Sequence, residues 1–143
     1  MPKMYVLVGL PGSGKSTLCT GMTAMALSSD GIRAELWGDE VVQGDAREVF
    51  DILYARAEQA LQQGEDVIID ATNLTRKVRA RAVMVARSCG AECVAMVAHC
   101  DAETAWQRNA SRSRVVPRVA FNKMVARYSV PTLDEGFAEV RVF

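Results

Sequence analysis

The stretch GLPGSGKST, residues 9–17, decides the fold, because it matches the pattern G-x-x-x-x-G-K-[S/T] directly after the apolar run MYVLV. The pattern is short, but a buried strand before it and a helix after it are the context of a phosphate-binding loop. Glycines let backbone N–H groups face one anion, and a helix N-terminus adds positive potential. The stretch therefore predicts a site for a nucleoside triphosphate.

The residues of this loop have distinct predicted roles. Lys15 is expected at the β- and γ-phosphates, and Ser16 is expected to give its hydroxyl to Mg²⁺, with Thr17 just behind it. The predicted nucleotide-binding set is Gly9, Pro11, Gly12, Ser13, Gly14, Lys15, Ser16 and Thr17. The expected cofactors are a nucleoside triphosphate, for which ATP is the first choice, and Mg²⁺.

Predicted strands and helices alternate along the 143 residues. Alternation of this kind predicts an α/β fold, with a mostly parallel sheet covered by helices on both faces. The length predicts one domain over residues 1–143. The predicted strands are MYVLVGL, AELWG (34–38), DVIIDAT, AECVAMVAHC and a short one in AEVRVF. The predicted helices cover 15 to about 27, 46–61, 75–90 and 102–111, with a last one starting near residue 117.

Ligands of such sheets bind at the carboxyl ends of the strands, so the acids located there are candidate site residues. Asp39 follows AELWG and is the candidate general base, which would accept the proton of an attacking hydroxyl; Glu40 is its rival. Asp70 ends the strand DVIID and is expected near Mg²⁺ together with Ser16. Asp39 is a further candidate at the metal, through a water molecule.

The charge is balanced overall, with 17 Lys+Arg against 17 Asp+Glu, but it is unevenly distributed. Residues 104–130 contain no acid and six basic residues, which are Arg108, Arg112, Arg114, Arg118, Lys123 and Arg127. A run of one sign favours a phosphate-binding surface over a merely solvated face. Arg108 and Arg112 are four apart, so they share a helical face and suit a clamp on triphosphate oxygens. A lid over about 104–123 is predicted.

The motifs GLPGSGKST, GDE (38–40), VIIDATNL, QRNASRS…VVP and PTLDEGF together resemble the kinase domain of polynucleotide 5′-hydroxyl kinases. The resemblance implies a P-loop kinase fold and a 5′-OH end of DNA or RNA as acceptor. It implies Lys15 and Ser16 at the triphosphate, Asp39 as general base, and Arg112 as the lid arginine assisted by Arg108. The family often has an Arg three residues after the base to hold the acceptor phosphate. That position is Val42 here, and Arg47, Arg76 and Arg79 are candidates to replace it.

Two other functions stay open. One is a nucleoside or small-metabolite kinase of the same fold, which Val42 favours and which the basic lid and the DEGF tail oppose. The other is a non-catalytic P-loop nucleotide-binding protein, against which Asp39 argues, since such a protein needs no base. Four cysteines without a C-x-x-C pair indicate free thiols in a reducing cytoplasm. No apolar run reaches the length of a membrane span, so no membrane partner is expected.

Overall fold

The computed structural model of the chain describes residues 1–38, 46–111 and 115–143. Its centre is a five-stranded sheet of order β2-β3-β1-β4-β5 in which every pairing is parallel. The strands are β1 Lys3–Val8, β2 Met25–Ser28, β3 Val67–Asp70, β4 Glu92–Val97 and β5 Glu139–Val142. The helices are α1 Ser29–Trp37, α2 Ala46–Gln62, α3 Arg76–Ser88, α4 Ala102–Ala110 and α5 Arg118–Arg127, with short 3-10 helices at Lys15–Cys19 and Leu133–Glu135. The predicted α/β fold is confirmed.

The sheet is covered on both faces, which explains why its central strands are almost continuously apolar. On β1, Val6 and Val8 contribute to a core shared with α2 and α3, and both are fully buried. Leu7 points the other way, into a smaller cluster with Leu18 and Met22 from the segment after the phosphate loop. Alternate residues of one strand thus supply both cores.

A third apolar cluster joins α4 and α5 at the carboxyl end of the sheet. Leu10, Ala105 and Phe121 are buried in it, and the rings of Trp106 and Phe121 lie 5.3 Å apart. Arg118 stacks over the Trp106 ring at 4.5 Å, a cation–π contact that ties the two helices further. These contacts set the basic helices beside the phosphate loop.

The predictions for residues 15–38 are wrong in two places. Instead of one helix over 15–27, the 3-10 helix Lys15–Cys19 ends before Gly21, whose φ is 84°, and β2 follows. Instead of a strand, AELWG is the second half of α1 and its C-cap: the Ser28 side chain accepts from the Gly31 N–H, and Gly38 ends the helix with φ 72°. The second strand of the chain is therefore β2, so Asp30 follows its carboxyl end.

The remaining predicted elements are confirmed as β1, α2, β3, α3, β4, α4, α5 and β5, within a few residues at each end. Among the described residues, no helix is long and apolar enough to cross a membrane.

A buried ion pair ties the PTLDEGF segment to α3. The Arg79 side chain is 0% exposed, and its Nε and second terminal nitrogen donate to the two Glu135 carboxylate oxygens at 2.9 and 3.0 Å. Burial raises the pKa of Glu135, but the hydrogen bonds from Arg79 and the Thr132 N–H outweigh it and hold that pKa below its usual value. The Glu135 carboxylate therefore stays ionised beside the Arg79 guanidinium.

Glu135→Gln should lower the free energy of unfolding by about 2–3 kcal/mol at neutral pH, because the buried Arg79 guanidinium loses its charged partner and keeps neutral acceptors, including the Asn73 and Ser129 carbonyl oxygens. A lowered carboxyl pKa contributes stability above the unfolded pKa of about 4.3, and this contribution is lost as pH falls through the folded pKa. Urea unfolding from pH 7 to pH 3 should therefore show wild type and variant converging in acid. Asp134→Asn, in the exposed pair with Arg76, is the control and should change stability little. A pH-independent gap would contradict the assigned role.

Candidate active site

The phosphate loop is built from backbone that only glycine fits well. Gly12 and Gly14 have φ angles of 84° and 90°, in the left-handed region. A Cβ on Gly12 would collide with the Ala105 carbonyl oxygen of α4, so the loop packs directly on that helix. Ser13 is 6% exposed, and its hydroxyl has no partner among the described residues. A Cβ on Gly9 would collide with that hydroxyl, so it faces the Gly9 backbone, and it is the Gly-rich backbone of the loop that fits an anionic ligand such as a phosphate.

The loop opens on a cavity of about 220 Å³ that Gly12, Gly14, Lys15, Ser16 and Arg108 line. The Arg108 guanidinium approaches to 3.7 Å from where a Cβ of Gly14 would lie. Two cations, loop backbone and one hydroxyl thus surround a single space. This composition suits the terminal phosphates of a nucleotide, and it brings the predicted residues Lys15, Ser16 and Arg108 together.

A second cavity, of about 310 Å³, lies on the other side of Lys15, at the carboxyl ends of β2 and β3. The residues that line it include two acids, three bases and several apolar side chains: Asp30, Asp70, Lys15, Arg33, Arg127, Phe50, Val116 and Met124. Lys15 lines both cavities. A phosphate bound in the first cavity would therefore have an acid-lined space next to it.

Asp30 is the residue that sequence analysis missed. It lies in the first turn of α1, directly after β2, and one of its carboxylate oxygens accepts from Arg33 at 3.0 Å. The local signal was present, because Ser28 caps a helix and an acid in the first turn is typical of a helix start. Placing a strand at AELWG obscured that signal and moved the candidate base to Asp39.

Asp70 lies where sequence predicted, at the end of β3 and in the cavity that contains Lys15. Ser16 lines the neighbouring phosphate cavity. Hydroxyl and carboxylate oxygens are ligands that Mg²⁺ accepts, and Mg²⁺ is commonly held by one or two carboxylates together with substrate phosphates. The residues present fit that ion, with Ser16 and Asp70 as the side chains that would hold it.

Several predicted residues lie outside the described part of the chain: Asp39, Glu40, Val42, Arg112 and Arg114. Of the three candidates to replace an arginine at position 42, Arg76 pairs with Asp134 at 2.9 Å and Arg79 is buried against Glu135. Neither lines the acid-containing cavity, and neither does Arg47. Among the arginines in the described part of the chain, Arg33 and Arg127 line it.

Asn109 holds Val116 at the wall of the second cavity. Its buried amide donates to the Val116 carbonyl oxygen at 3.0 Å and accepts from the Val116 N–H at 3.1 Å. Val116 is thereby held against α4. Asn109 is 0% exposed, so water does not compete with either hydrogen bond.

Arg108→Ala should lower phosphoryl transfer about tenfold, less than the 10²–10³-fold typical of a preorganised transition-state donor, because this guanidinium is exposed to water. The loss should appear as a raised KM for the nucleoside triphosphate, since Arg108 lines the phosphate cavity. Arg87→Ala, which removes an exposed arginine that lines neither cavity, is the matched control and should leave the KM for the nucleotide unchanged. An equal or larger loss in the Arg87 variant would remove Arg108 from the phosphate site.

Comparison with known proteins agrees with this geometry. A protein-family model described as an AAA domain matches residues 4–131. The chain belongs to this family. It is also 29% identical, over 149 aligned residues, to the bifunctional polynucleotide phosphatase/kinase of Schizosaccharomyces pombe, covering 96% of this chain and 32% of that protein. The chain thus spans about a third of that relative's length.

Solved structures of the same fold include two informative cases. A chain of the Pnkp1/Rnl/Hen1 RNA repair complex superposes with a TM-score of 0.74 at 26% identity, over 88% of this chain and 43% of that one. The APS kinase CysC of Mycobacterium tuberculosis, in complex with AMPPNP and APS, superposes with a TM-score of 0.64 at 20% identity, over 99% and 88%. The AAA-family domain described here has the fold of P-loop kinases, which supports nucleotide binding and phosphotransferase chemistry.

Proposed function

We propose that the chain transfers the γ-phosphoryl group of a nucleoside triphosphate, with ATP as the expected donor, to the 5′-OH end of DNA or RNA. The observation that carries the proposal is the position of Lys15, which lines both the phosphate cavity and the acid-containing cavity. A donor phosphate and an acceptor hydroxyl can meet at that lysine. The first cavity is hereafter the donor cavity and the second the acceptor cavity.

Asp30 replaces Asp39 as the general base in this proposal. As the acceptor oxygen attacks phosphorus, its proton passes to the Asp30 carboxylate, the new O–P bond forms, and the bond to the leaving diphosphate breaks with its electron pair. Lys15 and Arg108 face the charge that spreads over the phosphoryl oxygens and leaving group. Mg²⁺, when bound, neutralises charge on the β- and γ-phosphates. Arg112 stays the predicted lid arginine.

Arg33 provides the acceptor-side cation. With Asp39 as the base, the corresponding position had been Val42, which carries no charge. The related kinases often carry an arginine three residues after the base, and Asp30 and Arg33 have that spacing. Arg33 lines the acceptor cavity, and its side chain is 14% exposed, so its charge is partly desolvated. A guanidinium in this setting suits bidentate contact with a phosphate. An acceptor that carries a phosphate next to its 5′-OH nucleoside is therefore favoured.

A small-metabolite kinase is the alternative that one observation supports. The acceptor cavity, at about 310 Å³, is at the lower end of the range for small-molecule sites. Such an enzyme would use the same donor cavity and the same base. The two functions differ in what Arg33 contacts, since a neutral sugar or nucleoside offers it no phosphate.

Transfer of label from γ-labelled ATP tests the proposal. A 5′-OH oligonucleotide and a nucleoside 3′-monophosphate should both be labelled, and a free nucleoside far less. Affinity for the oligonucleotide should fall with salt, by roughly 0.7 in the log–log slope for each phosphate contact with a single strand. Equal labelling of nucleoside and oligonucleotide, with a flat salt response, would favour the metabolite kinase.

A further inference from the structure

Arg127 is a second guanidinium at the acceptor cavity, on a different element from Arg33. It lies in the last turn of α5, beside the apolar side chains of Met124 and Val116. Arg33 pairs with Asp30, whereas Arg127 is exposed and forms no ion pair with any residue the structure describes. The reaction proposed above assigns no role to the Arg127 guanidinium.

The backbone next to Arg127 is fixed to the wall of the acceptor cavity. The Ser129 N–H donates to the Leu74 carbonyl oxygen at 2.9 Å. One Arg79 nitrogen donates to the Ser129 carbonyl oxygen at 2.8 Å and to that of Asn73 at 2.9 Å. None of these bonds uses the Arg127 head group. The helix end is thus anchored to the cavity wall while the guanidinium stays available to a ligand.

Helix stability alone does not account for this position. A cation in the last turn interacts favourably with the helix dipole, and Arg127 does so in α5. Arg87 also lies in the last turn of its helix, α3, is exposed, and lines no part of the acceptor cavity. A comparison of Arg127 with Arg87 therefore separates an effect of the helix end from an effect on ligand binding.

We propose that Arg127 binds a backbone phosphate of the acceptor strand, one nucleotide beyond the phosphate at Arg33, and so makes the enzyme select strands over mononucleotides. The inference rests on the proposed function. Arg33 is bonded to the base, so it lies next to the reacting hydroxyl and suits the first phosphate. A cavity of about 310 Å³ accommodates little more than one nucleotide. The next phosphate must lie at its mouth, where an exposed arginine on the lining meets it.

The test compares two acceptors, a nucleoside 3′-monophosphate and a 5′-OH trinucleotide, on wild type, Arg127→Ala, Arg127→Lys and Arg87→Ala. The ratio of kcat/KM for the trinucleotide to that for the mononucleotide should fall about tenfold in Arg127→Ala, as for one lost charge-assisted contact. The fall should lie in KM, and the salt slope for the trinucleotide should decrease by about 0.7. Arg127→Lys should retain most of the slope, and Arg87→Ala should match wild type.

An unchanged ratio in a folded Arg127→Ala variant overturns the inference while leaving the proposed function intact. An equal loss on both acceptors does the same, because it assigns Arg127 to the first nucleotide or to the fold. If the ratio falls as far in Arg87→Ala as in Arg127→Ala, the effect comes from general surface charge, and this result also overturns the inference. Wild type that labels neither acceptor overturns the proposed function, and the inference falls with it.

Discussion

Replacing Lys15 by alanine should lower phosphoryl transfer by about 10³-fold, the upper end of what loss of one preorganised transition-state donor costs. Lys15 is the side chain shared by donor and acceptor cavities, so its charge acts where the phosphoryl group passes between them. The effect should appear in single-turnover transfer, which isolates the chemical step from product release. The fold should persist, because the loop is shaped by the backbone of Gly12 and Gly14.

Lys123→Ala is the matched control for this substitution. It removes an exposed lysine of α5 that lines neither cavity, so transfer should stay near the wild-type rate. Circular dichroism of both variants separates lost chemistry from lost structure. A Lys15→Ala protein that is folded and keeps more than about a tenth of the activity would contradict the phosphate-loop assignment.

Asp30→Asn should lower kcat by about 10²–10⁴-fold, the usual contribution of a general base, and should change nucleotide affinity little. Asparagine keeps the shape of the side chain but cannot take the proton of the acceptor hydroxyl. Since Asp30 accepts from Arg33, the variant should also bind the acceptor less well. Nucleotide binding by calorimetry and turnover at saturating acceptor therefore have to be measured together.

Asp39→Asn provides the comparison that decides between the two candidate bases. The sequence pattern favoured Asp39, and the position of β2 favours Asp30. If Asp30 is the base, Asp39→Asn should retain most of the turnover. The opposite ranking, with Asp39→Asn inactive and Asp30→Asn near wild type, would return the base to Asp39 and leave Asp30 as the partner of Arg33 alone.

The phosphate loop and the central sheet could be predicted from sequence because both are encoded locally. The order of glycines and Lys15 fixes the loop, and an apolar run of four to six residues with turn residues after it describes a buried parallel strand. Asp70 followed from the second of these, since the end of β3 is visible as the point where the apolar run VII stops.

Residues 15–38 were mispredicted because their structure is set by pairing over a distance. MALS, residues 25–28, contains good helix formers, yet β2 forms because each residue meets a partner on β3, from Met25 opposite Val67 to Ser28 opposite Asp70. Propensity is a weak guide when tertiary pairing opposes it. These two errors explain why the sequence pattern pointed to Asp39 as the candidate base, whereas the proposal made from the structure uses Asp30, which follows β2.

The cations of the acceptor cavity were hidden for a related reason. Arg127 appeared only as one member of a basic run, and nothing local distinguishes it from Arg118 or Lys123. Its position near the cavity wall depends on hydrogen bonds of Ser129 to residues 50 and 55 positions away, Arg79 and Leu74. Arg79, on a basic helix, was a candidate for the acceptor-side arginine, but it is buried against Glu135, 56 residues later.

That separation of 56 residues also bears on how the chain is made. Ribosomes add about 5–20 residues per second, so Arg79 is synthesised about 3–11 seconds before its carboxylate partner exists. During that interval the Arg79 guanidinium has no Glu135 carboxylate to pair with. Its hydrogen bond to the Asn73 carbonyl oxygen then lacks the support of that ion pair. Catalytic competence should therefore appear only on emergence of the PTLDEGF segment, well after the phosphate loop has been made.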